Sequence, residues 1–180
     1  MRWDALFDDL EAQWSAQQAQ QLDVEVAEAL EAERARLRLA DRLRAGVGAD
    51  VLLRLPGESH LELRLESVGA DWLGGRSGSQ SLLIPMHAVV SVDGLPQRGQ
   101  PEVGPTRRRL TIRAPLRALA RSREPVLAQG AAGELGRGRI TLVGADHFDL
   151  AVQGGDGDAY GKPARLRSVA LASVAAVRSG

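Results

Sequence analysis

The sequence contains no cysteine, and this absence excludes several kinds of chemistry at once. Disulfide bonds, thiolate metal sites and thiol catalysis all need cysteine side chains. A chain without them fits a reducing compartment, so the sequence predicts a cytoplasmic protein. The acidic start of the chain predicts no secretory signal, and no apolar run is long enough to predict a membrane span.

Aromatic residues are also scarce, at 3% of the chain, so the predicted core consists of Leu, Val, Ile and Ala side chains. Such a core buries less area per residue than an aromatic one. Small units built in this way are marginally stable alone. We therefore expect them to lean on each other, on a helix or on a second copy of the chain.

Net charge is zero, but the charges are distributed unevenly. Residues 1–33 hold one basic and nine acidic residues, for a net charge of −8. Residues 96–125 hold eight basic and two acidic residues, for a net charge of +6. The whole chain is therefore not a general polyanion binder, although a local basic patch is compatible with this distribution.

Residues 1–45 contain neither glycine nor proline and are rich in helix-forming residues, which predicts a helical segment over 1–46 that ends at glycine. Its apolar face would be longer than small β units could cover. Two alternatives follow. Either the polar stretch at residues 15–21 is a turn between two helices, or a partner chain buries the apolar face.

After Gly48 the apolar residues alternate with polar ones, which is typical of β-strands with one wet face. The tetrapeptide at 68–71 recurs at 143–146, at an offset of 75, and residues 84–92 correspond to 169–177 at an offset of 85. This self-similarity indicates an internal repeat. The predicted domains are a helical segment, a first β unit, an Arg/Pro/Gly linker and a second β unit with a short leading helix, at residues 1–46, 47–95, 96–113 and 114–180.

The segment at 143–150 resembles the first motif of the Sm-like family, and the segment at 86–92 resembles the closing strands of its bacterial Hfq-like members. The resemblance covers residues 47–95 and 114–178. It implies an α+β fold: a long N-terminal helical segment followed by two repeated, small five-stranded Sm-like β-barrels, each preceded by a helix. The Arg-rich sequence, with its Met-Arg-Trp start, also resembles actinobacterial proteins, and that resemblance implies no activity.

Two departures from the Sm pattern bear on RNA binding. The Asn expected soon after the Asp of the first motif is replaced by Gly74 and Asp149 in the two units. The basic pair of the second motif is replaced by Met-His at 86–87 and by Leu-Ala at 171–172. The resemblance therefore implies the fold without implying a base-specific RNA pocket.

Three groups of residues are candidates for functional or structural roles. Central arginines suit phosphate through bidentate hydrogen bonds, aromatic and apolar residues of the first helix suit an interface, and one Asp in each unit suits a structural turn. The candidate polyanion contacts are Arg107, Arg108, Arg109, Arg113, Arg117 and Arg121; the candidate interface residues are Trp3, Phe7, Leu10 and Trp14; the turn residues are Asp71 and Asp146.

No set of nucleophile, base and oxyanion donor can be assembled, and the three histidines lack a ligand spacing, so no catalytic residue, metal site or cofactor is predicted. The sequence favours a non-catalytic binding or assembly protein whose N-terminal helical segment oligomerises or docks, with self-association expected, and whose tandem barrels face a protein partner. The alternative is an RNA-associated regulator that contacts phosphate weakly through the central arginines.

Overall fold

The computed structural model describes residues 2–57, 60–101, 104, 109–152 and 165–180, and within the first helix it describes the side chains of residues 13, 14, 17, 18 and 20–36. The chain divides into two compact units, Met1–Arg38 and Leu39–Gly180. The helices are α1 (Arg2–Arg36), α2 (Leu39–Ala45) and α3 (Arg113–Ser122). The strands are β1 (Asp50–Arg54), β2 (Leu61–Val68), β3 (Trp72–Ser77), β4 (Gln80–Pro85), β5 (Ser91–Asp93), β6 (Pro125–Gly130), β7 (Gly133–Val143), β8 (His147–Val152), β9 (Arg165–Ala170) and β10 (Ala176–Ser179).

The first unit is the single helix α1, which has no internal glycine or proline to break it and ends with arginines in its last turn. It runs through residues 15–21 without a turn, and helical structure is interrupted only at residues 37–38, before α2. No helix of the described chain is long and apolar enough to cross a membrane.

The second unit contains one antiparallel sheet of ten strands in the described residues, in the order β5-β1-β2-β3-β4-β10-β6-β7-β8-β9. The predicted fold class, with two separate five-stranded barrels, is therefore wrong. The strand that overturns it is β10, which pairs with β6 on one side and with β4 on the other. An edge strand carries a row of unpaired backbone groups, and pairing β4 with β10 satisfies both rows. The result is one continuous, open sheet.

Most pairings on the two sides of this junction correspond at a fixed offset, although β6–β7 has a further bulge between Ala128 and Gln129 that β1–β2 lacks. Asp50 lies opposite Arg64 in β1–β2, and Pro125 lies opposite Arg139 in β6–β7, a difference of 75 at both positions. The β2–β3 ladder has a bulge between Leu65 and Ser67. The β7–β8 ladder has one between Ile140 and Leu142, again 75 residues later. The two halves of the sheet therefore share strand order, register and a bulge, whereas common descent of the halves stays a prediction.

Two clusters of buried aliphatic side chains form the core, and each contains a residue from the other half of the sheet. Ala176 of β10 packs in the cluster built mainly by β1–β4, and Leu83 of β4 packs in the cluster built mainly by β6–β8. Helix α3 covers this second cluster with Leu116, which is fully buried. The junction is therefore held by side-chain packing as well as by the backbone ladder.

Candidate functional site

The turns before β3 and β8 have the same backbone arrangement. In the first turn, the N–H of Gly69 donates to the carbonyl of Trp72, and the carbonyl of Asp71 accepts from Met86. In the second turn, the N–H of Gly144 donates to the carbonyl of His147, and the carbonyl of Asp146 accepts from Leu171. We call these the Asp71 turn (residues 69–72) and the Asp146 turn (residues 144–147).

Each turn needs its glycine because a ring lies against it. A Cβ on Gly69 would overlap the indole of Trp72, and a Cβ on Gly144 would overlap the imidazole of His147. Neither glycine has a positive φ, so the requirement is steric and does not come from backbone conformation. The aromatic ring at the end of each turn therefore packs against the glycine of the same turn.

The side chains of the Asp71 turn bind the segment that leads into α3. The carboxylate of Asp71 accepts a hydrogen bond of 2.7 Å from the N–H of Ile112, which is the N-cap residue of the helix. The indole Nε1 of Trp72 donates to the carbonyl of Leu110 at 3.0 Å. The N–H of Ala70 donates to the same carbonyl at 3.2 Å. The turn in the first half of the sheet therefore binds the start of the helix that covers the second half.

The Asp146 turn has the same shape but an open carboxylate. Asp146 Oδ1 lies 2.8 Å from Nδ1 of the neighbouring His147, and the Asp146 side chain is 90% exposed. The hydrogen bond to His147 holds the pKa of Asp146 below its usual range, with further contributions from a backbone hydrogen bond and from the charge of His147. The same hydrogen bond raises the pKa of His147. This pairing favours charged His147 beside charged Asp146.

Arg178 of β10 links three strands at the junction. Its Nε donates to the side-chain oxygen of Gln129 in β6, and its Nη1 lies 3.5 Å from that of Gln80 in β4. Val177, beside it, lies opposite Leu83 and is buried. Sequence reasoning missed this junction, because no local signal shows which strand a given edge will pair with.

The structure places the candidate polyanion contacts at the start and along one side of α3. Arg109 lies in the segment before the helix and is exposed, Arg113 is partly buried, and Arg117 and Arg121 are exposed. Spacings of four residues put the last three on one side of the helix. Arg107 and Arg108 lie outside the described residues.

Of the candidate interface residues in α1, the structure describes the side chain of Trp14 alone, and this indole is 72% exposed. Trp3, Phe7 and Leu10 lie within the helix, but their side chains are outside the described part. Further along α1, large apolar side chains are also exposed: Leu22, Val24, Val26 and Leu30.

Other chemistry has little support in the described residues. His60 and His87 are exposed, and within the described part of the chain no group of three or more His, Asp or Glu side chains is arranged to hold a metal ion. Comparison with known protein-family models gives no match, and comparison with curated protein sequences gives none either.

Proposed function

We propose that this protein is a non-catalytic binding and assembly protein, in which α1 is the docking segment and the ten-stranded sheet is the structural body. The observation that carries the proposal is the apolar exposure of α1. Trp14 is 72% exposed and Leu22 is 62% exposed. Leu22, Val26 and Leu30 follow one another at spacings of four, so they form a stripe on one side of the helix.

A stripe of this kind is costly to leave in water, since burying a Leu or Val side chain contributes about 1.5–3 kcal/mol. Single exposed apolar residues are ordinary on protein surfaces, but several on one side of one helix are typical of an interface. A helix that buries such a stripe against another helix gains stability that its intrinsic propensity does not supply.

We infer that the partner is a second copy of the same helix, and the charges at the two ends of α1 then favour an antiparallel pair over a parallel one. Acidic residues dominate residues 1–33, whereas Arg34 and Arg36 occupy the last turn. An antiparallel pair places the basic end of each helix beside the acidic start of the other. A parallel pair would place like charges together, which is destabilising.

The test is the mass of the full chain in solution, measured by light scattering after size exclusion. Replacing Leu22, Val26 and Leu30 together by Gln keeps the helix-forming character of α1 but removes the stripe. We expect this variant to have a smaller mass than the unmodified chain at equal concentration. The matched control replaces three exposed polar residues away from the stripe, Gln17, Gln20 and Gln21, by Ala and should leave the mass unchanged. Equal masses for all three proteins would contradict the proposal.

A second candidate function is weak, sequence-independent contact with RNA. The observation that favours it is the exposed pair Arg117 and Arg121 on one side of α3, with Arg109 exposed before the helix. Arginine binds phosphate through paired hydrogen bonds, and contacts to phosphate carry no sequence information. The local resemblance of residues 143–150 to an Sm motif gives RNA priority over other polyanions, by analogy alone.

A further inference from the structure

The sheet has two outer edges in the described residues, β5 and β9, and they correspond to the two strands that meet inside the chain. Strand β5 (91–93) corresponds to residues 176–178 of β10 at the offset of 85, and β4 (80–85) corresponds to β9 (165–170) at the same offset. The two outer edges of the sheet are therefore the counterparts of β10 and β4, the strands that pair at the internal junction.

The Asp146 turn repeats this relationship next to the β9 edge. Its counterpart, the Asp71 turn, lies next to β4 and binds the start of α3 through Asp71 and Ile112. Asp146 occupies the equivalent backbone position, and its carboxylate is 90% exposed. A turn of the same backbone shape thus accompanies each of the strands β4 and β9, and in the single chain the Asp146 carboxylate bonds His147.

Helix α2 is the counterpart of α3. The same pattern occurs in residues 39–45 and in residues 112–118: an aliphatic residue is followed, four to six positions later, by the triplet Leu-Arg-Ala. Leu43 and Leu116, the leucines of these triplets, are both fully buried. The aliphatic residues at the starts differ: Ile112, bound by the Asp71 turn, is 6% exposed, whereas Leu39 is 40% exposed. Leu39 is therefore an aliphatic side chain like Ile112, but it is much less buried in the single chain.

We propose that copies of this chain join head to tail, with β5 of one copy added antiparallel to β9 of the next. In this arrangement the start of α2 of the first copy meets the Asp146 turn of the second. The contact repeats, between molecules, the geometry that β10, β4, α3 and the Asp71 turn have within the molecule. The partner is a second copy because β10 and β4, the counterparts of β5 and β9, already pair with each other inside the chain.

The register of this contact follows from the internal junction, where Val177 lies opposite Leu83 and Arg178 lies opposite Leu82. At the offset of 85, Val92 and Asp93 of β5 are the counterparts of Val177 and Arg178. Ser168 and Arg167 of β9 are the counterparts of Leu83 and Leu82. The same register therefore places Val92 opposite Ser168 and Asp93 opposite Arg167. Directly opposed residues lie on the same face of a sheet, and opposite charges there are stabilising. Asp93 and Arg167 are both exposed in the single chain, and the Arg167 guanidinium also donates to the carbonyl of Leu135. A guanidinium has five N–H donors, so both contacts can form together.

Backbone hydrogen bonding is compatible with this register. The N–H of Leu65 in β2 donates to the carbonyl of Ala49. Because the hydrogen-bonding direction alternates along each strand, the registers of β1 with β2 and with β5 direct the backbone N–H and C=O of Asp93 toward β1 and those of Val92 outward. The N–H of Leu171 bonds Asp146, so alternation directs the groups of Ser168 outward from β9. Val92 and Ser168 then form the hydrogen-bonded pair, and Asp93 and Arg167 form the pair with the closer side chains.

Cross-linking tests the register directly, because the chain has no cysteine of its own. Asp93→Cys and Arg167→Cys are made in separate full chains. Each chain also carries the three α1 substitutions L22Q, V26Q and L30Q, so that α1 does not hold the copies together. Opposed residues of the closer type lie about 4.5 Å apart at Cα, which a disulfide can span. Mild oxidation of the mixture should give the mixed covalent dimer as the main product.

The matched control is Arg165→Cys, two residues along the same strand and on the same face. Mixed with Asp93→Cys, it should give several-fold less mixed dimer than Arg167→Cys gives. Equal yields from the two positions, or no mixed dimer from either, would overturn the proposal while leaving the proposed role of α1 intact.

A charge exchange provides a second measurement that needs no new bond. Asp93→Arg and Arg167→Asp should each weaken head-to-tail association, measured by sedimentation velocity, and the double variant should recover it because the pair is restored with reversed polarity. Reversal of Arg139, an exposed residue of the interior strand β7, serves as the control and should have no effect. Single variants that associate as the unmodified chain does, or a double variant that associates no better than the singles, would contradict the proposed register.

Discussion

The carboxylate of Asp71 accepts a hydrogen bond of 2.7 Å from the backbone N–H of Ile112, 41 residues away in the sequence. This bond ties the first half of the sheet to the helix that covers the core of the second half. Asp146 has the equivalent place in the second half but pairs with its neighbour His147. Two residues with the same backbone setting therefore have different partners.

Asp71→Ala should destabilise the protein, because it leaves the N-cap N–H of α3 without its side-chain acceptor. We expect a loss of about 1–2 kcal/mol in the free energy of unfolding, within the range for removing one partner of a hydrogen bond that is shielded from water. Urea denaturation followed by circular dichroism measures it. Asp146→Ala is the matched control and should cost clearly less than Asp71→Ala, because the Asp146 carboxylate is exposed and bonds its neighbour His147. Equal losses for the two variants would show that the Ile112 contact is not the cause.

The sheet body, residues 39–180, should unfold in one transition, because the β4–β10 ladder and the shared core join its two halves. Leu83→Ala, at the junction, should lower the free energy of unfolding by about 2–4 kcal/mol and move that whole transition. Calorimetry on the full chain measures both effects. Leu142→Ala is the control, since this side chain of the interior strand β7 is 49% exposed. If the body unfolded in two steps and Leu83→Ala moved only one of them, the halves would be independent.

His147 should titrate above the ordinary histidine pKa, because its Nδ1 is hydrogen-bonded to the carboxylate of Asp146. A raised pKa in the folded state means that the stabilisation is fully present below the unfolded pKa and is lost as pH rises through the folded pKa. The lowered pKa of Asp146 has the opposite sense, so its contribution is lost as pH falls through the folded value. NMR titration of the imidazole measures the shift. Asp146→Asn should bring the pKa of His147 down, and an unchanged titration would exclude Asp146 as the cause.

Any RNA binding should be weak and should depend on the arginines of α3. Arg117→Ala combined with Arg121→Ala removes two phosphate contacts, so the slope of log affinity against log salt should fall by about 1.4 for single-stranded RNA. Fluorescence anisotropy with labelled oligonucleotides of different sequence measures both slope and selectivity. Replacing Arg137 and Arg139, exposed in β7, is the matched control. Sequence-selective binding that survives loss of Arg117 and Arg121 would point to a base-reading surface elsewhere in the molecule.

Local patterns in the sequence predict local structure well here and fail where structure depends on distant partners. Alternation at Leu61, Leu63 and Leu65 predicts β2, whose side chains are buried and exposed in turn. The same alternation does not indicate which other strand each strand will pair with. The pairing of Leu83 with Val177 joins segments more than 90 residues apart. The prediction of two separate barrels from the resemblance is therefore wrong, and the strands form one sheet instead.

The candidate sites show the same division. The equivalence of the turns at Asp71 and Asp146 is visible in the sequence, because both follow the same three residues. The partner of Asp71 could not be predicted, since Ile112 reaches it through tertiary packing of α3. Asp93 and Arg167 carry no motif, and their complementarity becomes visible only when the register of the internal junction is known.

Self-association of the full chain underlies both the proposed role of α1 and the proposed β5–β9 contact, and sedimentation equilibrium over a concentration series measures it. A protein that assembles through its own surfaces must show a mass that rises with concentration, because mass action governs the equilibrium between protomer and assembly. We predict that the average mass of the unmodified full chain exceeds that of one protomer at tens of micromolar and increases with concentration. A mass equal to one protomer across the whole series would contradict the claim.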